Sequence, residues 1–381
     1  MLNFSRENTS KIAKWWRNVD KQILFSFIFL FFLGLFFSFS STSSVVADKM
    51  NKQTYFFFGK HLIFVLISLF LLIAISIQER NKLLKSLFFL FFISIFLLIL
   101  IPLFGVEVKG AKRWIDFPFL PRFQPVELVK PLFIIFVAKI IMLNQKGSIY
   151  KRYFYSFLVL LVIVTLLINQ PDFGQTLLLI SIWITMIFAS GINMMILTTL
   201  GMIFLLIIGL LIFFSPGKFA YVFLRIKTFI DPKTGDNFQS EKALDAIKQG
   251  GLSGRGMGEG ILKDKVPEAH TDYIIAVISE EFGAIFVLFI VTIFLFIGYK
   301  VLNKVFSDQD EFLKLALVGL VSLLTIQTFI HIGVNTRLLP TTGMTLPFLS
   351  YGGSSLIGSS IMAGIILNFT RKDHQRKSKN E

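Results

Sequence analysis

Four carboxylates and a histidine stand close together in the stretch PEAHTDYIIAVISEEFG, residues 267–283, although the sequence that follows is apolar. Asp272 falls at the first turn of a predicted helix, where the helix dipole favours the charged form of a carboxylate. An ionised side chain at the entrance of a membrane-length apolar run is a candidate site residue. The alternative is a plain helix N-cap. Two observations weigh against this alternative. Thr271 could cap the helix equally well, and Glu268 and His270 add further ionisable side chains at the same helix start.

Glu280 and Glu281 lie deeper in the same predicted helix, about 12–14 Å beyond Asp272 at 1.5 Å per residue. Adjacent residues cannot share one helix face, so the two carboxylates need separate surroundings. At least one requires a partner such as Lys130, Lys139 or a backbone donor, or else is protonated. We interpret both as structural residues inside the membrane rather than catalytic ones.

A third acidic position lies in QPVELVKPLF, where Glu127 and Lys130 are three residues apart and therefore on one helix face. Two interpretations stay open at this point. The charges neutralise each other inside the membrane, or together they line a polar cavity near its outer surface. Pro125 and Pro131 remove backbone hydrogen bonds from this helix, which is consistent with a cavity wall.

Three further polar clusters are GAKRWIDF (110–117), NQPDFGQT (169–176) and NTRLLPTTGMTLPFLSYGGSS (335–355). The prolines and glycines of the last cluster predict non-helical backbone at membrane depth, which is tolerated only where it is buried or lines a cavity. Trp114 is either part of such a site or an interface anchor. The candidate cavity or substrate-binding residues outside the Glu127 helix are Trp114, Arg255, His270, Arg337, Ser350, Gly352 and Gly353.

Arg255 comes from GGLSGRGMGEG (250–260), which has six glycines in eleven residues. Glycine permits turns that point N–H groups at an anion, so a phosphate cradle is one interpretation. A mobile linker is the other. The sequence is neither a Walker A loop nor a dinucleotide fingerprint, because no Lys-Ser/Thr pair follows and no strand–helix unit surrounds it.

The composition predicts that these residues are positioned by transmembrane helices. Of 381 residues, 54% are hydrophobic and 16% are charged, and the apolar residues come in blocks long enough to cross a bilayer. We therefore predict an all-α polytopic membrane protein with ten transmembrane helices and one long outer, periplasmic loop, 215–271, between spans seven and eight. The predicted spans are 23–39, 61–77, 86–104, 125–143, 153–168, 173–190, 194–214, 272–298, 312–334 and 348–370.

Orientation follows from the distribution of Lys and Arg. With both termini inside, the inner segments carry 19 of the 38 basic residues and the short outer loops carry 8. The chain then divides into a cytoplasmic tail (1–22), a membrane domain (23–370) and a basic cytoplasmic tail (371–381). The net charge of +15 is thus a topology signal and an attraction to anionic lipids, not to nucleic acid. The alternative for 1–47 is a cleaved signal peptide ending in STSSVVA.

Taken in order, GAKRWID, QPVELVK, QPDFGQT, PEAHTDYI…EEFG and LPTTGMTLPFLSYGGSS resemble the motifs of the SEDS family (shape, elongation, division and sporulation proteins). PEAHTD and the glycine-rich stretch are similar to the cell-division branch rather than the elongation branch, although Tyr273 stands where Phe is usual. The resemblance implies a peptidoglycan glycosyltransferase that polymerises lipid II beside a class B penicillin-binding transpeptidase. It also implies that Asp272 is the essential acid, Trp114 the outer-loop tryptophan, and Glu127 with Lys130 the cavity pair.

The resemblance makes a specific chemistry possible. Lipid II carries its donor sugar on undecaprenyl diphosphate, so one general base, Asp272, suffices to activate the acceptor 4-hydroxyl. We expect Lys130, Arg255 and Arg337 to face the diphosphate. A divalent cation, Mg²⁺ or Mn²⁺, could share that role. The sequence contains no Cys, and its four His show no ligand spacing that favours zinc.

Two rival functions stay open. Glu280, Glu281 and Lys139 at mid-membrane depth are compatible with a flippase that moves lipid II outward. A scaffold that only recruits a transpeptidase is the second rival. In each case we expect a bacterial inner-membrane protein at the division septum, in contact with membrane lipids and other divisome proteins.

Overall fold

The computed structural model describes residues 10–41, 56–108, 111–116, 121–142, 148–214, 216–231, 238–262, 269–307 and 309–372. These residues form thirteen helices and one two-stranded sheet. The helices are α1 (Lys11–Asn18), α2 (Lys21–Ser41), α3 (Phe56–Ile77), α4 (Arg80–Phe104), α5 (Val126–Met142), α6 (Ile149–Asn169), α7 (Phe173–Ala189), α8 (Met194–Phe214), α9 (Pro216–Ile230), α10 (Phe238–Gly250), α11 (Ile274–Ser307), α12 (Glu311–Asn335) and α13 (Gly353–Thr370).

Seven of these helices are long and apolar enough to cross a membrane, namely α2, α3, α4, α6, α11, α12 and α13. The protein is therefore a mostly helical, multi-pass membrane protein. The other three predicted spans fall on α5, α7 and α8. Of these, α5 and α7 have 17 residues each, and α5 also carries Glu127, Lys130 and Lys139.

The centre of the bundle is formed by α12 and α13, the most buried of the seven membrane-length helices. Small residues make this packing possible, because they let helix backbones approach closely without side chains between them. A Cβ at Gly364 would lie 2.8 Å from Cβ of Ile75 on α3, and one at Gly319 would lie 2.6 Å from Ile134 on α5. The polar clusters therefore lie on closely packed helices.

A β-hairpin, β1 (Gly105–Val108) and β2 (Ala111–Ile115), interrupts the helices between α4 and α5. Trp114 pairs with Val106 across this hairpin, and Ile115 forms a further bridge with Phe123. The all-α prediction is wrong at this point. Valine and isoleucine favour extended backbone, so this segment leaves the helical pattern once α4 ends.

The long loop between α8 and α11 contains α9 and α10. Glu268, most of the C-terminal tail and most of the signal-peptide cleavage region lie outside the described residues. Helix α11 is kinked at Gly283, whose φ of 82° lies in the left-handed region that favours glycine. This kink separates the first turns of the helix from the remainder.

Candidate functional site

Asp272 lies two residues before α11, and its side chain is half-buried. Its carboxylate faces the turn at Gly343, since a Cβ placed on Gly343 would lie 3.7 Å from Asp272 Oδ2. Gly343 has φ of 69°, a backbone conformation that glycine adopts without strain. The carboxylate is thus held beside a turn that carries no side chain.

Asn335, at the end of α12, fixes the backbone around Asp272. Its side-chain nitrogen donates to the Asp272 carbonyl (3.1 Å) and to the His331 carbonyl (2.8 Å), while its oxygen accepts from the Ala276 N–H (3.1 Å). Asn335 is fully buried, so these bonds are shielded from water. The position of Asp272 therefore depends on a residue 63 positions away in the chain.

The segment before α13, which contains Ser350 and Tyr351, packs against the residues that precede Asp272. Ser350 donates through its hydroxyl to the Thr271 carbonyl (2.7 Å), and the Tyr351 N–H donates to the His270 carbonyl (3.1 Å). The His270 ring lies edge-on to Tyr351, with ring centroids 5.4 Å apart. Ser350 and His270, both predicted from sequence, thus lie together at the start of α11. Gly352 caps α13 and Gly353 begins it.

Two arginines approach this region. Arg225 on α9 donates to the Thr341 carbonyl (2.7 Å), two residues before Gly343. The predicted Arg337 has φ of 59° and follows the last turn of α12, where the Leu338 N–H donates to the Gly333 carbonyl (2.7 Å). Arg337 Nη1 lies 3.7 Å from Glu241.

Tyr273, next to Asp272, is buried. Burial raises the pKa of its phenol to about 12, with the neighbouring Asp272 charge acting in the same direction and Arg225 against both. The phenol is therefore protonated at neutral pH.

The Glu127–Lys130 pair lies deeper. Lys130 Nζ is 2.8 Å from Glu127, and both side chains are buried. Gln175 donates to Glu127 (3.2 Å), and Lys130 donates to Gln327 (3.1 Å). Gln327 in turn donates to the Thr345 carbonyl (2.9 Å), two residues beyond Gly343. The charges do neutralise each other, and their network reaches the turn that faces Asp272.

A second buried charge cluster joins the hairpin to α7. Arg113 Nη1 lies 3.7 Å from the buried Asp172, and Gln124 donates to the same carboxylate (3.2 Å). Burial raises the pKa of the Asp172 carboxyl, although Arg113 acts to lower it. The Gln124 N–H also donates to Ser354 on α13 (3.0 Å). Trp114 is partly buried beside this cluster on β2.

The glycine-rich stretch docks on the kink of α11. The N–H groups of Arg255 and Gly256 donate to the carbonyls of Glu280 (2.9 Å) and Glu281 (3.0 Å). A phosphate cradle would use these N–H groups, but here they already bind backbone carbonyls. A Cβ on Gly283 would lie 2.5 Å from the Gly254 nitrogen, so this close approach requires glycine. The Arg255 side chain itself is exposed.

The two carboxylates at this kink have partners of different kinds. Glu280 accepts from the backbone N–H groups of Ile261 (2.8 Å) and Leu262 (3.0 Å), one on each oxygen. Glu281 accepts from the Ser40 hydroxyl on α2. The expected backbone donor is thus present for Glu280, and both glutamates tie α11 to other elements.

Sequence reasoning did not single out Gln327 and Arg225 as residues of this site, and it included Asn335, Gln175 and Gly343 only as members of the polar clusters. Arg225 lies among apolar and aromatic residues of the long loop, and Gln327 carries no charge that would distinguish it inside a span. Among the residues that the structure describes, no group of three His, Asp or Glu side chains could hold a metal ion.

Comparison with known proteins identifies relatives over nearly the whole chain. A protein of Caulobacter vibrioides named probable peptidoglycan glycosyltransferase FtsW is 34% identical over 370 residues, covering 97% of this chain and 93% of that protein. A protein of the same name from Haemophilus influenzae is 33% identical over 370 residues, covering 94% and 91%.

Solved structures share the fold. A chain from a structure described as structural coordination of polymerization and crosslinking by a peptidoglycan synthase complex has a TM-score of 0.74 at 24% identity, covering 92% of this chain and 97% of that chain. The rod shape determining protein RodA of Thermus thermophilus has a TM-score of 0.67 at 23% identity, covering 93% and 97%. A family model described as cell cycle protein, FTSW_RODA_SPOVE, matches residues 21–375. The resemblance to the SEDS motifs is confirmed, and the chain belongs to the FtsW/RodA/SpoVE family of cell cycle proteins.

Proposed function

We propose that this protein is a peptidoglycan glycosyltransferase that polymerises lipid II into β-1,4-linked glycan strands at the outer face of the bacterial cytoplasmic membrane. Relatives named probable peptidoglycan glycosyltransferase FtsW, 33–36% identical over most of the chain, support this activity. The structural observation that carries it is the position of Asp272, whose carboxylate faces the Gly343 turn where α11 and α12 meet.

In the proposed reaction, the Asp272 carboxylate takes the proton from the 4-hydroxyl of the acceptor sugar. The resulting oxygen nucleophile attacks C1 of the donor sugar, and the C1–O bond to undecaprenyl diphosphate breaks with its electron pair. One displacement converts an α-linked donor into a β-linked product, so no covalent intermediate with the enzyme is needed. A positioned base of this kind contributes about 10²- to 10⁴-fold to the rate.

Cations near the turn would stabilise the leaving diphosphate. We add Arg225 to the residues proposed from sequence, because it donates to the Thr341 carbonyl beside the Gly343 turn. Arg337 belongs to the same segment. Lys130 and Arg255 stay as predictions from the sequence. The bonds of Lys130 to Glu127 and Gln327 also support a second role, since they hold the turn in place.

We further propose ten membrane spans, with α5, α7 and α8 completing the seven membrane-length helices, and both termini in the cytoplasm. The loop 215–271 then lies on the outer side with Asp272. A class B penicillin-binding transpeptidase is the proposed partner, along with other divisome proteins. A bound Mg²⁺ or Mn²⁺ ion stays an open prediction.

Liposomes containing labelled lipid II test the activity against its first rival. The purified protein, together with its transpeptidase, should convert lipid II into glycan chains. The Asp272→Asn variant should not, whereas the control Asp245→Asn, a half-exposed acid on α10, should match the wild type. Transbilayer movement of lipid II without polymer would instead identify a flippase.

Depletion in cells tests the septal role and the scaffold rival. Loss of a septal polymerase should give filaments, while rounded cells would indicate an elongation enzyme. Complementation with Asp272→Asn should fail in a strain that makes the variant at wild-type level. A scaffold that only recruits a transpeptidase would be restored by the same variant.

A further inference from the structure

An open groove of about 700 Å³ lies between α2 and α11, in the size range of about 300–1,000 Å³ that ligand pockets have. Its walls are Phe25, Phe29 and Phe32 on α2, and Phe289, Ile293 and Phe296 on α11. The five phenylalanines are exposed large hydrophobic residues. On α11 the groove begins at Phe289, beyond the kink at Gly283, so it is separate from the proposed active site at Asp272.

The interior of the groove is apolar throughout. Its two hydroxyl residues, Ser26 and Thr292, donate to carbonyls of their own helices, at Gln22 and Leu288 respectively, both at 2.8 Å. These hydroxyls are therefore satisfied locally and offer no donor to a ligand. A hydrocarbon chain matches such a surface, whereas a polar ligand would lose its hydrogen bonds to water on entering.

Two lysines stand over one end of the groove. Lys21 lies one turn before Phe25 and Lys300 one turn after Phe296, so each is on the same helix face as a groove phenylalanine. Lys21 Nζ lies 5.1 Å from the Trp16 ring centre and Lys300 Nζ 5.8 Å from that of Phe296. Among the described residues, neither forms a salt bridge with a carboxylate.

We propose that this groove binds an anionic phospholipid, with one acyl chain between α2 and α11 and the headgroup phosphate between Lys21 and Lys300. Basic pockets between transmembrane helices bind anionic headgroups in this manner. The aromatic ring of Trp16 beside Lys21 marks the level of the membrane–water interface. By the distribution of basic residues, this end of the bundle faces the cytoplasm. The lipid is therefore one of the inner leaflet.

Native mass spectrometry of the protein released from nanodiscs tests the site. Nanodiscs made with phosphatidylglycerol and phosphatidylcholine should yield protein that retains phosphatidylglycerol preferentially. Two lysines near the headgroup predict a preference of about 30-fold. The double variant Lys21→Gln/Lys300→Gln should lose it. Thr292→Phe, which adds a ring to the groove wall, should reduce retention of both lipids.

Lys139→Gln is the matched control. Its ammonium also lies over an aromatic ring, Phe312, at 5.7 Å, but Lys139 is on α5 and does not line the groove. This variant should retain phosphatidylglycerol as the wild type does. All variants should keep the wild-type melting temperature, which shows that they are folded.

Three results would overturn the proposal. The first is equal retention of phosphatidylglycerol by the wild type and the double lysine variant. The second is displacement of phosphatidylglycerol by equimolar undecaprenyl phosphate, which would assign the groove to the isoprenoid carrier. The third is loss of the transpeptidase from Thr292→Phe with lipid retention unchanged, which would identify a protein interface. None of these readouts depends on glycan polymerisation, so failure here is distinguishable from failure of the proposed activity.

Discussion

Asp272 and Glu280 lie eight residues apart around the start of α11, and their carboxylates have different surroundings. Glu280 is buried, and each of its oxygens accepts a backbone N–H from the loop that docks on α11. Asp272 is only half-buried, and its carboxylate faces a glycine turn. Asn335 donates to the main-chain carbonyl of Asp272.

This difference separates a structural acid from a candidate catalytic one. A carboxylate whose oxygens are taken by backbone donors stabilises the fold, and it cannot accept a substrate proton without breaking those bonds. Asp272 differs in its burial and its position, because its carboxylate is half-buried and lies beside the Gly343 turn, which has no side chain. Burial alone would have selected Glu280, whereas accessibility beside this turn favours Asp272.

The largest effect that follows from this comparison is on catalysis. Asp272→Asn should lower the rate of glycan formation by about 10²- to 10⁴-fold, because the amide cannot act as a base. The Asn335 bond goes to the main chain and is kept in this variant, and the melting temperature in detergent is the control for folding. A variant that polymerised lipid II at the wild-type rate would remove Asp272 from the mechanism.

A third acid, Glu127, extends the comparison because its partner is a charged side chain, Lys130, rather than a backbone N–H. Lys130→Met leaves the Glu127 charge buried, and removing one partner of a buried pair costs about 3–5 kcal/mol. The double variant Glu127→Gln/Lys130→Met should recover most of this stability, as measured by thermal unfolding. If the single and double variants had the same melting temperature, the buried Glu127 charge would not depend on Lys130 for stability.

Glu280→Ala should act on stability rather than on chemistry. It leaves the Ile261 and Leu262 N–H groups without their acceptors, a loss of roughly 2–4 kcal/mol for bonds to a charged group. We expect faster proteolysis within 252–262 and near-normal polymerisation per folded molecule. Reduced polymerisation with an unchanged melting temperature would erase the distinction between Glu280 and Asp272.

The smallest effect concerns the turn that faces the base. Gly343→Ala adds a methyl 3.7 Å from Asp272 Oδ2, at a backbone φ of 69° that alanine adopts only with strain. The rate should fall roughly 10-fold, equivalent to ~1.4 kcal/mol. Gly298→Ala is the control, because Gly298 lies within α11 and its Cβ would make an ordinary contact with Val321 on α12, at 3.4 Å. Identical rates for the two variants would show that the turn does not shape the site.

Much of the fold could be predicted from the sequence, because membrane helices leave a signal in every residue they contain. The apolar blocks located each of the membrane-length helices, and the spacing of Glu127 and Lys130 predicted a pair that the structure shows. Local rules also placed Asp272 at the start of α11. Each of these features depends on residues a few positions apart.

The parts that could not be predicted depend on bonds between distant residues. Asn335 reaches Asp272 across 63 positions, and the Arg255 N–H reaches the Glu280 carbonyl across the loop. Neither contact leaves a periodic pattern. The glycines at 254 and 283 follow from mutual close approach, which only the folded chain reveals, and this explains why the loop suggested a linker or a phosphate cradle.

The most direct measurement of the role of Asp272 is the pH dependence of kcat/KM for glycan formation by the protein with its transpeptidase in liposomes. A base must be deprotonated to act, so the wild-type rate should fall on the acid side through one titration. The small residual activity of Asp272→Asn should lack this acidic limb, whereas Asp245→Asn should retain it. An identical acidic limb in the Asp272→Asn residual activity would contradict the account, because the titrating base would then be another group.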